Sequence, residues 1–226
     1  QILLWVSKAT GLGDSWMALS QKGLITPLEA RQLKRNEALM SLIRVRLHLA
    51  AGRREDRLVF DLQAQVAQML GMGLDAQGEF NARIGSEKLM RSYYWAAKAV
   101  TQLNQIVLLN IEAHLRRDEL VTVVPINERF QQRAGQLDLN DDGIYHRQPQ
   151  AILETFWLLQ TTGLSGLSAR TLRALYNARY LMGSNFRRDP QNRAMFLRIL
   201  QHPQGITRTM RLMNQTSVLG RYLWVF

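Results

Sequence analysis

Arg53-Arg54-Glu55-Asp56-Arg57 sets ionisable side chains at consecutive positions, the densest charge cluster in the chain. Guanidinium groups grip phosphate or carboxylate through paired, charge-assisted hydrogen bonds. The cluster falls between two predicted helices, so it also reads as a solvated ion-pair corner, with Asp56 able to cap the helix that follows. The structural reading is preferred, and Arg53, Arg54 and Arg57 stand beside it as candidate anion or domain-interface contacts. A second cluster, Asp138-Leu139-Asn140-Asp141-Asp142-Gly143, matches the first half of a calcium loop, D-x-[DN]-x-[DN]-G. Its closing bidentate glutamate would stand at position 149, which is Pro149, and no helix is evident on its N-terminal side. A polar turn rich in Asx and Gly is the preferred reading.

Other chemistry is soon exhausted. His48, His114, His146 and His202 are far apart, none in ligand spacing with another and none followed by Asp. No metal is assigned to them. Gly183-Ser184 has the form of the Gly-Ser of nucleotidyltransferases, but the D-x-D or D-x-E pair that holds their metal occurs nowhere in the chain. Gly11-Leu12-Gly13 is a lone G-x-G without a preceding strand, and there is no G-x-S-x-G elbow. Tyr93-Tyr94-Trp95 offers a stacking platform, although helical spacing puts Tyr93 in the core. No catalytic constellation can be assembled.

The elements that would position these residues are helical. Thr26-Pro27-Leu28-Glu29 combines an N-cap, a proline at the first helical position and a capping-box glutamate. The helix it opens can run to Ala51 and stop at Gly52. A second is predicted over Arg57–Leu70, and a long one from about Ser86 to Arg116, with Leu89, Tyr93, Ala96, Val100, Leu103 and Val107 three and four apart. Val121–Pro125 reads as one short extended segment, and Gln136–Pro149 as loop. Further helices are expected over Pro149–Gln160, Ser168–Met182, Pro190–Leu200 and Ile206–Val218. The fold class is all-α, a multi-helix bundle around a long central helix.

Composition agrees with a globular chain. Of 226 residues, 46% are hydrophobic and 21% charged, and there is no cysteine, which excludes disulfides and thiolate metal sites and suits a reducing cytoplasm. No signal peptide or spanning segment is read: Ile106–Leu115 is short and broken by Asn110, Glu112 and His114. Net charge is +11, and the only lysines are Lys8, Lys22, Lys34, Lys88 and Lys98. Such a balance suits an anionic partner, but the basic residues are spread along the chain and no nucleic-acid motif is present, so the reading does not favour nucleic acid. Gln1 is not an initiator Met, and Met210–Phe226 ends on Tyr222, Leu223, Trp224, Val225 and Phe226. Those apolar ends read as an interior piece of a longer polypeptide.

The stretch Gly52-Arg53-Arg54-Glu55-Asp56-Arg57-Leu58-Val59-Phe60-Asp61 is followed, in order, by Leu89-Met90-Arg91-Ser92-Tyr93-Tyr94 and by Val124-Pro125-Ile126-Asn127 with Phe130. Met213-Asn214 through Val218-Leu219-Gly220-Arg221-Tyr222-Leu223 completes the set. Together these resemble the central helical region of the bacterial PII uridylyltransferase/uridylyl-removing family of nitrogen signalling. Ile2-Leu3-Leu4-Trp5 is similar to the segment leaving that family's nucleotidyltransferase domain, and Trp224-Val225 departs where relatives usually continue with proline. The resemblance implies a single helical connector domain over 1–226, with 1–9 the tail of the nucleotidyltransferase domain and 210–226 leading into an HD domain. It implies a parent enzyme that transfers UMP from UTP to a tyrosine of the PII signal protein and hydrolyses it off in response to glutamine. Magnesium and the catalytic aspartates are implied in the flanking nucleotidyltransferase domain, a metal in the HD domain and glutamine sensing in ACT domains beyond. The expectation for this chain is no catalytic residue, no cofactor, no membrane, and contact with its flanking domains. The helical region of glutamine synthetase adenylyltransferase and a stand-alone basic binding module are the alternatives.

Overall fold

The computed structural model describes residues 11, 15–115 and 122–224, with side chains described for all of these except 113–115. The chain divides into two compact units, 1–104 and 105–226, and the division falls within one helix.

In the first unit, α1 (Trp16–Gln21) starts at Ser15, whose Oγ accepts the Ala18 N–H. α2 (Pro27–Ala51) carries the predicted capping box: Thr26 N–H donates to Glu29 Oε2 at 2.8 Å and Glu29 N–H to Thr26 Oγ1 at 3.2 Å. These bonds satisfy two otherwise orphaned donors of the first turn. Gly52, at φ +64°, ends the helix in the left-handed region where glycine carries no Cβ penalty. α3 spans Phe60–Met69 and α4 spans Ala82–Leu115. Ile43 and Leu47 of α2, Val66 and Ala67 of α3 and Leu89 of α4 form the core, with Leu39, Leu62 and Tyr93 packed against it. Tyr93 thus lies where its helical spacing puts it.

The second unit corrects the all-α expectation. Helices dominate it, but β1 (Val123–Pro125), β2 (Phe130–Arg133), β3 (Gln136–Leu139) and β4 (Gly166–Leu167) form a mixed sheet in that order. The first three pair antiparallel, with Phe130 opposite Leu139, and β4 joins β3 in parallel. Ala134 at φ +50° and Gly135 at φ +73° make the two-residue turn whose twist suits a hairpin. Part of the expected loop over Gln136–Pro149 is therefore β3, and another part is the short α5 (Ile144–Arg147). α6 (Ala151–Thr162) packs against α9 (Pro190–Gln201) and α10 (Ile206–Gln215), and α7 (Ala169–Ala178) covers β3. A 3₁₀ turn (Arg179–Leu181), α8 (Ser184–Arg188) and α11 (Val218–Tyr222) complete the unit. Phe130, Leu137, Leu139, Tyr145, Leu153 and Phe156 are fully buried at its centre.

Candidate functional site

The arginine corner is built by the end of α2 and the segment before α3. Asp56 does not cap the following helix, as its position had suggested. α3 starts later, at Phe60, with Val59 at a cap position that has no side-chain hydrogen bond. Asp56 is drawn back to α2 instead: Arg44 Nε donates to Asp56 Oδ1 at 2.8 Å, and His48 Nε2 lies 3.6 Å from the same oxygen. Arg54 Nε stands 3.6 Å from Oδ2. Arg57 N–H donates to Glu55 Oε1 at 3.0 Å and Arg53 Nη2 to Glu55 Oε2 at 3.1 Å. These bonds hold 53–57 in a non-helical turn and explain why the helix expected from Arg57 begins three residues on.

Burial raises the Asp56 pKa, but the hydrogen bond from Arg44, the nearby His48 ring and the charges of Arg44 and Arg54 together hold it below the ordinary carboxylate range. Four guanidinium groups (Arg44, Arg53, Arg54, Arg57) face two carboxylates (Glu55, Asp56), an excess of two positive charges. Arg53 and Arg54 have side chains 76% and 79% exposed. The Arg57 guanidinium makes no hydrogen bond or ion pair among the described residues. The three candidate arginines are therefore brought to one exposed corner with donors to spare. Arg44 and His48 were missed by the sequence reading, although their four-residue spacing on a helix that ends beside the cluster was the available signal.

The other motifs resolve structurally. In the Asx loop, buried Asp138 accepts from Ser168 Oγ at 2.5 Å and from Gln131 Nε2 at 3.0 Å. Asp141 accepts from Arg147 Nη2 and from the Gly143 N–H, both at 2.7 Å, and Asp142 accepts from Arg170 Nε. The Asn140 amide donates to the carbonyls of Asn127 and Glu128. Both carboxylate oxygens of Asp138, and Oδ1 of Asp141 and of Asp142, are thus engaged by the protein's own donors. Among the described residues, no group of three or more His, Asp or Glu comes together as a metal site would require. The side chain of His114, with Leu12 and Gly13, lies outside the described residues. Tyr94 and Trp95 are 70% and 56% exposed.

The second unit holds an open groove of about 530 Å³ lined by α4, β3, β4 and α10, including Gln105, Gln136, Arg208 and Arg211. Arg208 Nη2 is tied to the carbonyls of Leu164 and Ser165 at 2.8 and 2.5 Å. No motif in the sequence had pointed to it.

The family description "GlnD PII-uridylyltransferase" matches residues 1–108, and "Uridylyltransferase GlnD third domain" matches 130–222. The two matched segments follow the two compact units closely. Proteins named bifunctional uridylyltransferase/uridylyl-removing enzyme from Cupriavidus pinatubonensis and Cupriavidus metallidurans are 58% and 56% identical over 99% of the chain. The one from Burkholderia orbicola is 55% identical over the whole of this chain. This chain belongs to the PII-uridylyltransferase family. It spans about a quarter (25–26%) of the length of these relatives. No solved structure matches it.

Proposed function

We propose that this chain is the helical connector of a bifunctional PII uridylyltransferase, a cytoplasmic enzyme that transfers UMP from UTP to a tyrosine of the PII signal protein and hydrolyses it off again as glutamine changes. The observation that carries the reading is the 56–58% identity to relatives so named over nearly the whole chain, spread over both units. In this reading chemistry resides in the flanking nucleotidyltransferase and HD domains, and the parent's magnesium is held there. No helix among the described residues is long and apolar enough to cross a membrane.

The connector's own work is support and access. A connector must be stiff, and the 34-residue α4 suits that need. It must also leave a charged surface where anionic substrates approach, and the exposed Arg53, Arg54 and Arg57 suit that. The test is an assay of UMP transfer to PII with the 226-residue chain beside the full-length parent. Transfer by the parent and none by the chain is expected. Turnover by the chain alone would overturn the reading.

A further inference from the structure

We propose that the open groove of the second unit is a binding site for a small amphiphilic anion, an apolar body carrying one carboxylate or phosphate head. Its lining lies wholly within 105–226 and shares no residue with the arginine corner. At about 530 Å³ it falls inside the range of roughly 300–1,000 Å³ usual for small-molecule sites. Leu109, Leu167, Leu172 and Leu212 give it an apolar wall. Arg208 and Arg211 bring two cations to it, and no Asp or Glu stands among the lining residues.

The two parts of this lining select the two parts of the ligand. Arg208 is held in place by the carbonyls of Leu164 and Ser165, which both accept from its Nη2, while its Nε and Nη1 donate to none of the described residues. Arg211 stands three residues on, on the same face of α10. It is exposed, and its guanidinium makes no hydrogen bond or ion pair among the described residues. Spare guanidinium donors suit the oxygens of a carboxylate or phosphate. A bare inorganic anion would leave the leucines facing water, and a neutral hydrocarbon would desolvate the arginines without a counter-charge. A ligand with an apolar body and an anionic head satisfies both.

Gly166 supplies an independent sign. It belongs to β4, lies in register with Gln136 of β3, and lines the groove beside it. Glycine within a strand weakens the strand, and it marks places where a ligand or another backbone comes close. Here the protein itself does not take that place, because a Cβ on Gly166 would meet no atom within 4 Å beyond its chain neighbours. Its φ is not in the left-handed region, so the backbone does not require glycine either. The missing side chain keeps the groove open, which nothing in the packing of this unit demands.

The test is calorimetric titration of the chain with octanoate, octyl phosphate, octanol and acetate at constant ionic strength, with Tm read in parallel. Saturable binding of one octanoate or one octyl phosphate per chain is expected, with octanol and acetate about tenfold weaker or more. Whichever anion binds tighter identifies the head group as carboxylate or phosphate. Arg211→Gln should raise Kd about tenfold or more, the loss of a hydrogen bond to a charged group. Gly166→Leu should abolish saturation by filling the groove, with Tm unchanged or higher. Arg188→Gln, exposed on α8 and outside the groove, should leave Kd unchanged. If Gly166→Leu does not fold by circular dichroism, Arg211→Gln decides. No saturation by either anion, octanol or acetate as tight as octanoate, or an equal loss in Arg188→Gln overturns the proposal.

Discussion

The Arg129 guanidinium grips both carboxylate oxygens of Glu154, with Nε 2.7 Å from Oε2 and Nη2 3.0 Å from Oε1. The pair joins the start of the hairpin to α6, and Glu154 also accepts from Asn127 Nδ2 at 3.0 Å. Its side chain is only 12% exposed, so screening is weak, and the hydrogen bond to Glu154 raises the Arg129 pKa further above its already high value. Glu154→Ala strips partners from Arg129 and Asn127 at once. It should cost roughly 2–3 kcal/mol, the range for orphaning a partly buried charged hydrogen bond. Thermal unfolding of the chain should show Tm falling by roughly 4–12 °C. A drop no larger than that of an exposed pair such as Arg83–Glu87 would mean that the fork contributes little.

The same pair marks where the sequence could and could not be read. The capping box at Thr26 and Glu29, the stop at Gly52 and the three-and-four spacing of Leu89, Leu103 and Val107 are local signals, and the helices they announce are present. The sheet was hidden because its signals are short and long-range. Phe130-Gln-Gln-Arg has no apolar alternation, and the hairpin turn uses Ala134 at positive φ where Asn or Gly would have announced it. At the corner, Arg53, Arg54 and Arg57 stand out by density alone. Arg44 and His48 belong to the same network but lie nine and five residues before Arg53, so only the geometry of the end of α2 joins them to it.

Tyr145 gives the chain an alkaline weakness. Its phenol is fully buried and donates to Thr155 Oγ1 at 2.7 Å, while Thr155 in turn donates to the Ala151 carbonyl at 2.8 Å. Burial pushes the Tyr145 pKa far above its ordinary 10.0, helped by the charges of Glu154 and Asp138 and opposed by the hydrogen bond to Thr155. The folded value is raised, so above pH 10 the unfolded chain loses this proton while the folded chain keeps it. The contribution is complete below pH 10 and declines as pH rises past it. Tyr145→Phe should be roughly 1 kcal/mol less stable at pH 8, for the lost hydrogen bond. That difference should shrink or reverse by pH 11 in urea unfolding. A constant difference across the range would show that Tyr145 does not titrate on unfolding.

Gly85 sits inside α4, where alanine is ordinarily the better helix former by about 1 kcal/mol. Here the sign should invert. A Cβ on Gly85 would stand 2.8 Å from Phe80 Cε2 and 2.9 Å from the Met72 carbonyl oxygen. A Cβ on Gly73, at φ +91°, would in turn stand 2.6 Å from Gly85 Cα, and Asn81 N–H donates to the Gly73 carbonyl at 3.0 Å. Gly85→Ala should therefore destabilise by roughly 1–3 kcal/mol, the overpacking range. Gly220→Ala in α11, with open space around it, should be neutral or stabilising. Equal Tm values for the two variants would show that the 72–85 turn yields without strain.

The arginine corner separates a structural from a functional role because the two predict different readouts. Its ion pairs are solvent-exposed, with the Asp56 side chain 50% exposed, and exposed pairs contribute little to folding. Reversing Arg53, Arg54 and Arg57 to Glu should then change the stability of the chain by no more than about 1 kcal/mol. If the corner steers an anionic substrate in the full-length parent, the same triple reversal should raise the KM for UTP or PII about tenfold or more, with kcat nearly unchanged. The loss should be largest at low salt and fade as ionic strength rises, as screening demands. Arg44→Gln releases Asp56 without reversing the exposed charges and should affect KM less. Steady-state kinetics at two salt concentrations beside thermal unfolding settle the matter. Unchanged KM at low salt assigns the corner to structure alone, whereas a KM effect with intact stability assigns it to substrate approach.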